Sequence, residues 1–265
     1  MDKLDKLKQI VAQSKSAVVA FSGGVDSTFL ACVTGEALPG KVLLVTAMSS
    51  TYPVSELDES KRLAALLKLP QRTIVSEELD IDGFSDNTPQ RCYYCKKTLF
   101  SHILKIARDD GYEAVFDGSN VDDQNDYRPG RRATKELGIR SPLVEAGLTK
   151  NEIREYSKKL GLPTAAKPSL ACLASRFPYG EKITREKLGR VGIAEEAIRS
   201  LGFTQLRVRS HGDVARVELL ASEMDAGWAR RSTIQEACKK AGFTFVAIDT
   251  QGYRTGAMNE TLDRK

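Results

Sequence analysis

The chain has 265 residues, 41% of them hydrophobic and 28% charged, with a net charge of +5 at neutral pH. That length holds one large domain or two ordinary ones, and two are expected. No apolar run is long enough to span a membrane, and the small basic excess permits an anionic ligand without demanding nucleic acid. The charged, helical N-terminal pattern is not a secretory signal, so a cytoplasmic location is expected. Five cysteines, an odd number, point to reduced thiols, metal ligation or catalysis rather than to a disulfide framework.

Residues 3–13 read as an amphipathic helix. The stretch Ala17-Val-Val-Ala-Phe-Ser-Gly-Gly-Val-Asp-Ser-Thr28 then reads as a buried strand followed by a turn that opens a helix over 27–38. Further strands are expected at 41–46, 71–76 and 113–118, with helices at 53–67 and 92–108. This alternation predicts an α/β domain, a doubly wound parallel sheet with ligand at the carboxyl ends of its strands. A strand-like 140–144 follows, then a helix opened by Thr149 with Glu152 three residues on, the pattern of a capping box. Pro163 and Pro168 bracket a loop carrying Cys172, and the domain boundary is expected near 180. Residues 181–265 read as a smaller C-terminal α+β domain: helix 184–200, strands 204–209 and 213–220 joined at His211-Gly212, helix 222–241 and strand 243–249.

The turn carries the clearest chemistry. Gly23 and Gly24 let backbone approach an oxyanion closely, while Ser22, Ser27 and the first helical N–H groups supply donors at the positive end of the helix dipole. The turn has neither the Gly-Lys-Ser/Thr of a Walker loop nor Gly-x-Gly-x-x-Gly. Asp26 beside phosphates would repel them unless Mg²⁺ bridged the two, which suggests metal-bound ATP. Ala20, Met48, Asp117 and Gly118 also lie at expected strand ends, where adenine would pack.

Cys92 and Cys95 form a C-x-x-C at a helix start, one turn apart. With Cys172 they would suit a [4Fe-4S] cluster with one iron left open. A zinc site completed by His102 or His211, a redox pair and three unrelated thiols share the spacing. Cys32 and Cys238 read as core side chains. Arg128 on a loop, and Arg207 and Arg209 two apart on a strand, could grip phosphate or carboxylate; solvated surface positions are the alternative.

Ser22-Gly-Gly-Val-Asp-Ser27 resembles the pyrophosphate loop (PP-loop) of ATP pyrophosphatases. Together with Asp117-Gly-Ser-Asn120, Asp126-Tyr-Arg-Pro-Gly130, Ala171-Cys-Leu-Ala-Ser-Arg-Phe-Pro-Tyr-Gly180 and Arg207-Val-Arg209, it makes nearly the whole chain resemble the LarE family. These are ATP-dependent sulfur transferases of nickel-pincer nucleotide synthesis. The resemblance implies adenylation of a carboxylate of pyridinium-3,5-biscarboxylic acid mononucleotide, release of pyrophosphate and installation of sulfur. It implies ATP and Mg²⁺ at Ala20, Ser22, Gly23, Gly24, Asp26, Ser27, Met48, Asp117 and Gly118, and substrate at Asp126, Arg128, Arg207 and Arg209. Ser175 and Arg176 would help orient sulfur transfer. Some members sacrifice a cysteine matching Cys172; others hold a [4Fe-4S] cluster on three cysteines, and Cys92, Cys95 and Cys172 match that type. A sulfide donor and a homo-oligomer are further implied. The rivals are a tRNA-thiolating enzyme with the same loop, an amide-forming ATP pyrophosphatase in which the cysteines would be idle, and a non-enzymatic nucleotide sensor.

Overall fold

In a computed structural model, which describes residues 2–125, 129–168, 171–254, 256–257 and 259–261, the run of small and β-branched residues at 17–20 is a strand buried on both faces. The chain divides into two units, Met1–Glu77 with Cys92–Ser169, and Glu78–Arg91 with Leu170–Lys265.

The first unit runs α1 (Lys3–Val11), β1 (Ala17–Ala20), α2 (Val25–Ala37), β2 (Val42–Met48), α3 (Val54–Leu66), β3 (Gln71–Val75), α4 (Arg91–Asp109), β4 (Ala114–Phe116), α5 (Gly130–Glu136), α6 (Pro142–Ala146) and α7 (Lys150–Lys159). Its sheet has the order β3-β2-β1-β4 and every pairing is parallel, so all four strands end on one edge. Alternate residues enter opposite layers, as the two-residue strand period requires. Ala17, Val19, Val42 and Leu44 pack with Leu7, Phe29, Leu143 and Ile153. Val18, Leu43, Val45 and Val115 pack with Phe100 and Ile103 of α4. The sheet is thereby covered on both faces, which is the α/β doubly wound arrangement expected. Helix α2 carries apolar residues all round, because α1 and α7 cover its outer side and leave it interior.

Residues 140–144 are not a strand. Arg140 makes a single parallel bridge to Phe116, its N–H donating to Val115 O and its carbonyl accepting from Asp117 N. Pro142, with no N–H to give a ladder, instead sits in the first turn of α6.

The second unit contains a short 3₁₀ turn at Leu173–Arg176, α8 (Arg185–Arg199), β5 (Leu206–His211), β6 (Val214–Leu219), α9 (Met224–Ala229), α10 (Arg231–Lys240) and β7 (Phe245–Ile248). Its sheet order is β5-β6-β7, the first pair antiparallel and the second parallel. The hairpin loop is Gly212–Asp213, with Gly212 at φ +60°, where a side chain would be strained. The helix expected over 222–241 is broken at Arg230 into α9 and α10. Gly227 of α9 lies so close to β6 that a Cβ would stand 2.2 Å from Leu219 Cδ1.

The chain passes to the second unit at 169/170 rather than near 180, and 78–91 belongs there too. Backbone pairing is the reason. Gly180 N donates to Asn87 O (3.0 Å), Ile183 N to Ser85 O (2.8 Å), and the Asn87 amide donates to Pro178 O (2.6 Å).

The capping box of α7 is complete: Glu152 N donates to Thr149 Oγ1, and Thr149 N donates to Glu152 Oε2 (2.9 Å). Lys3 bonds the same carboxylate and, with the Thr149 N–H, lowers its pKa from 4.5 to about 2. The associated stability is present above pH 4.5 and lost as the pH falls towards 2. Thr149→Ala is expected to cost about 1 kcal/mol, measured by urea denaturation at pH 7.

Candidate functional site

The turn between β1 and α2 folds as its glycines require. Gly23 takes φ +70° and lies under α3, where a Cβ would stand 3.3 Å from Ser60 Cα and Cβ. Gly24 is the N-cap of α2 and offers no side-chain cap, so the first N–H groups of the helix have no intrahelical acceptor. The Ser22 and Ser27 hydroxyls lie 3.1 Å apart, with Gly24 N donating to Ser22 Oγ and Ser22 N to Ser27 Oγ. Gly118, just past β4, closes the other side: a Cβ there would stand 3.2 Å from Ser27 N. Backbone donors, two hydroxyls and the positive end of a 13-residue helix thus share one concave turn, an arrangement suited to phosphate.

Charged side chains surround this turn in matched pairs. Asp26 accepts from Lys150 Nζ of α7 (2.5 Å) and from Asn120 Nδ2 (3.4 Å). Burial pushes the Asp26 carboxyl above its ordinary pKa, Lys150 opposes this, and nearby Asp123 adds to the rise. Lys167 Nζ donates to Gly23 O (3.2 Å) and pairs with Glu56 (2.8 Å) and Glu59 (2.9 Å). Asp117, almost fully buried, accepts from the hydroxyls of Ser119 (2.7 Å) and Ser141 (2.6 Å) and faces Lys96 at 3.9 Å. Met48 is exposed at the end of β2, and Ala20 ends β1.

Cys92 is exposed and Cys95 half-buried in the first turn of α4. Cys172 is half-buried in the second unit, immediately before the turn Leu173–Arg176. Cys238 is fully buried and Cys32 packs against the first unit's core, as their sequence context indicated. The three expected metal-binding thiols are divided between the units, and the described residues of neither unit gather three His, Cys, Asp or Glu side chains as a metal site.

Arg176, Arg207 and Arg209 of the second unit are interior. Arg176 is 1% exposed and grips Glu195 bidentately (2.7 and 2.8 Å). Arg209 grips Glu218 bidentately (3.0 and 2.9 Å) and donates to Ser175 O (2.8 Å). Arg207 is buried over the Tyr253 ring, and burial, then Arg176, lowers its pKa to about 10. Asp126 and Arg128 lie outside the described residues.

No protein-family model matches the chain. It is 39% identical over 264 residues to an uncharacterized protein of Synechocystis, covering 99% of this chain and 98% of that one. It is 37% identical over 247 residues to the pyridinium-3,5-bisthiocarboxylic acid mononucleotide synthase of Lactiplantibacillus plantarum, covering 93% and 90%. The chain belongs to this synthase family, the LarE family. A tRNA-specific 2-thiouridylase of Rickettsia rickettsii is 28% identical over 195 residues, 59% of this chain and 53% of that one, which places the family in the PP-loop superfamily.

For a LarE-family chain, the first unit brings Ala20, Ser22, Gly23, Gly24, Asp26, Ser27, Asp117 and Gly118 to one sheet edge. Asn120, the last residue of the motif 117–120, stands with them, as do Lys150 and Lys167, which were not singled out by sequence. Each lysine lies far from 22–27 along the chain and belongs to no spacing pattern; only the capping box beside Lys150 marked its neighbourhood. Glu195 and Glu218 were missed likewise, as ordinary acidic residues of a helix and a strand.

A carboxyl whose folded pKa lies above its ordinary value of 3.8 holds its proton longer folded than unfolded, so stability falls as pH rises through that window. Asp26→Asn is therefore expected to melt at or above the parent temperature at pH 7. The difference should close towards pH 3.8, while magnesium-dependent ATP binding is weakened.

Proposed function

We propose that the chain is an ATP-dependent sulfurtransferase that adenylates a carboxylate of pyridinium-3,5-biscarboxylic acid mononucleotide and converts it to a thiocarboxylate. The observation that carries this reading is the phosphate-shaped turn Ser22–Ser27 in a chain 37% identical to a synthase named for the bisthiocarboxylic product.

In the proposed reaction the turn, the Ser22 and Ser27 hydroxyls and the N–H groups of α2 hold the ATP phosphates. Lys150 and Lys167 exchange their carboxylate partners for phosphate oxygens, which frees Asp26 to hold Mg²⁺. A substrate carboxylate oxygen attacks the α-phosphorus. The bond from that phosphorus to the oxygen bridging it to the β-phosphorus breaks, and pyrophosphate leaves. Positioning and charge neutralisation supply the acceleration. A sulfur nucleophile then adds to the acyl carbon and AMP departs with the C–O electron pair. Asp126, Arg128 and Arg207 are the proposed contacts for the substrate.

For the sulfur, the donor set fits an iron–sulfur cluster in kind: Cys92, Cys95 and Cys172 supply thiolate sulfur, two of them on one helical turn. These three would hold a [4Fe-4S] cluster, which when bound supplies sulfide for transfer. The division of the three thiols between two units favours keeping a second route in view. In it Cys172 itself forms the thioester, and loss of its α-proton with cleavage of the Cβ–S bond leaves dehydroalanine and the thiocarboxylate. No helix among the described residues is long and apolar enough to cross a membrane. The proposed setting is the cytoplasm, with a sulfide donor as partner and a homo-oligomer as the working form.

Substrate-dependent pyrophosphate release is the direct test, and its absence with pure substrate and Mg·ATP would overturn the reading. Lys150→Met is expected to slow that release about 10²-fold. Anaerobic iron and sulfide assay separates the two sulfur routes: a cluster lost in Cys92→Ala supports the first, and loss of one sulfur from Cys172 on turnover, read by mass spectrometry, supports the second.

A further inference from the structure

The turn Leu173–Arg176 carries Cys172 at its head and is held from within the second unit by two buried ion pairs. Arg176 Nη1 donates to Ala171 O (2.8 Å), Cys172 O (3.1 Å) and Ser175 Oγ (2.9 Å), while Nε and Nη2 of the same guanidinium are taken by Glu195. Glu195 in turn accepts from Val208 N of β5 (3.0 Å) and lies 3.8 Å from Arg199, one helical turn along α8. The other end of the turn is held by Arg209, whose Nη1 donates to Ser175 O while Glu218 takes its remaining fork. Arg176, Glu195, Arg209 and Glu218 are all at most 5% exposed. Buried guanidinium and carboxylate groups are costly to remove from water, and both pairs spend further hydrogen bonds on one four-residue turn.

We propose that Glu195 with Arg176, and Glu218 with Arg209, are positioning residues that fix the backbone of Cys172 for sulfur transfer. The guanidinium groups of Arg176 and Arg209 make these contacts. Every donor shown for them serves a carboxylate or the turn itself, and the three carbonyls they bind at 171, 172 and 175 bracket the cysteine. A guanidinium suits this task because its planar fork can meet a carboxylate on one side and carbonyl oxygens on the other, which an ammonium cannot span. The inference rests on Cys172 being the sulfur-site cysteine of the proposed reaction.

The test uses the full-length, reduced chain without added iron and follows iodoacetamide alkylation of each cysteine by mass spectrometry, with Cys92 as the internal reference. Two variants are compared: Arg176→Lys, which keeps the charge opposite Glu195, and Arg176→Met combined with Glu195→Leu, which removes both charges of the pair while Arg199 keeps Glu196. In each the Cys172 alkylation rate is expected to change by about threefold or more relative to Cys92, because thiol reactivity follows its surroundings. In a single turnover the rate of thiocarboxylate formation should fall about 10- to 100-fold, with the KM for ATP and the first-turnover burst of substrate-dependent pyrophosphate release unchanged. A folded variant with parent Cys172 reactivity overturns the proposal, as does an equal loss of pyrophosphate release and sulfur transfer. Altered Cys172 reactivity with parent turnover leaves the clamp standing and instead sinks the assignment of Cys172 to sulfur transfer.

Discussion

Charge that a fold takes out of water has to be matched where it lies, and this constraint shapes both units. In the first unit Asp26 meets Lys150, and Lys167 meets Glu56 and Glu59. In the second, Arg176 meets Glu195 and Arg209 meets Glu218. The two sets differ in what surrounds them. The Asp26 and Lys150 side chains keep 22% and 25% exposure, whereas the pairs of the second unit are at most 6% exposed. Partly hydrated pairs can exchange partners when a polyanion arrives; closed, bidentate ones hold a backbone in place.

That difference separates two kinds of work within one chain. The parallel sheet puts four strand ends on one edge, and α2 starts there with its N–H groups uncapped by any side chain. A site of this kind gains from donors that are already aimed, because little reorganisation is left for the moment of reaction. The raised pKa of Asp26 shows its cost: a carboxylate is kept in a half-buried place where burial disfavours its charge. In the second unit the cost falls instead on ordering a turn, and four buried charged side chains surround a segment of only four residues.

Much of the first unit was legible because its signals are local. The strand at 17–20 and the turn after it announce themselves by β-branched residues followed by paired glycines. Thr149 and Glu152 announce the start of α7, and the structure forms that capping box in full. Local signals failed where a neighbour decided the outcome. Residues 140–144 have strand-forming side chains, yet Pro142 and a single bridge to Phe116 make them a turn into α6. The helix expected over 222–241 is interrupted at Arg230, and α9 packs so closely on β6 that a side chain at Gly227 would have to displace the Leu219 Cδ1 methyl. Arg207 and Arg209 share a strand face as their spacing required, but that face is interior, and spacing says nothing of which face is covered.

The sequence by itself determined the glycine turn at 22–27, the alternation of strands and helices that makes a parallel sheet, and the placing of three thiols in two separate motifs. These follow from backbone permissiveness and from periodicity, both of which act over a few residues. Only the tertiary structure decided that Lys150 and Lys167 stand beside the turn, that 78–91 leaves the first unit to pair with 177–183, and that Arg176 and Arg209 are spent on the segment around Cys172. Apart from the bonds Arg176 makes within its own turn, these join residues about 20 to 145 positions apart, counting from the Arg176–Glu195 pair to the Lys167–Gly23 contact, and what selects them is the requirement that buried charge and buried backbone find partners.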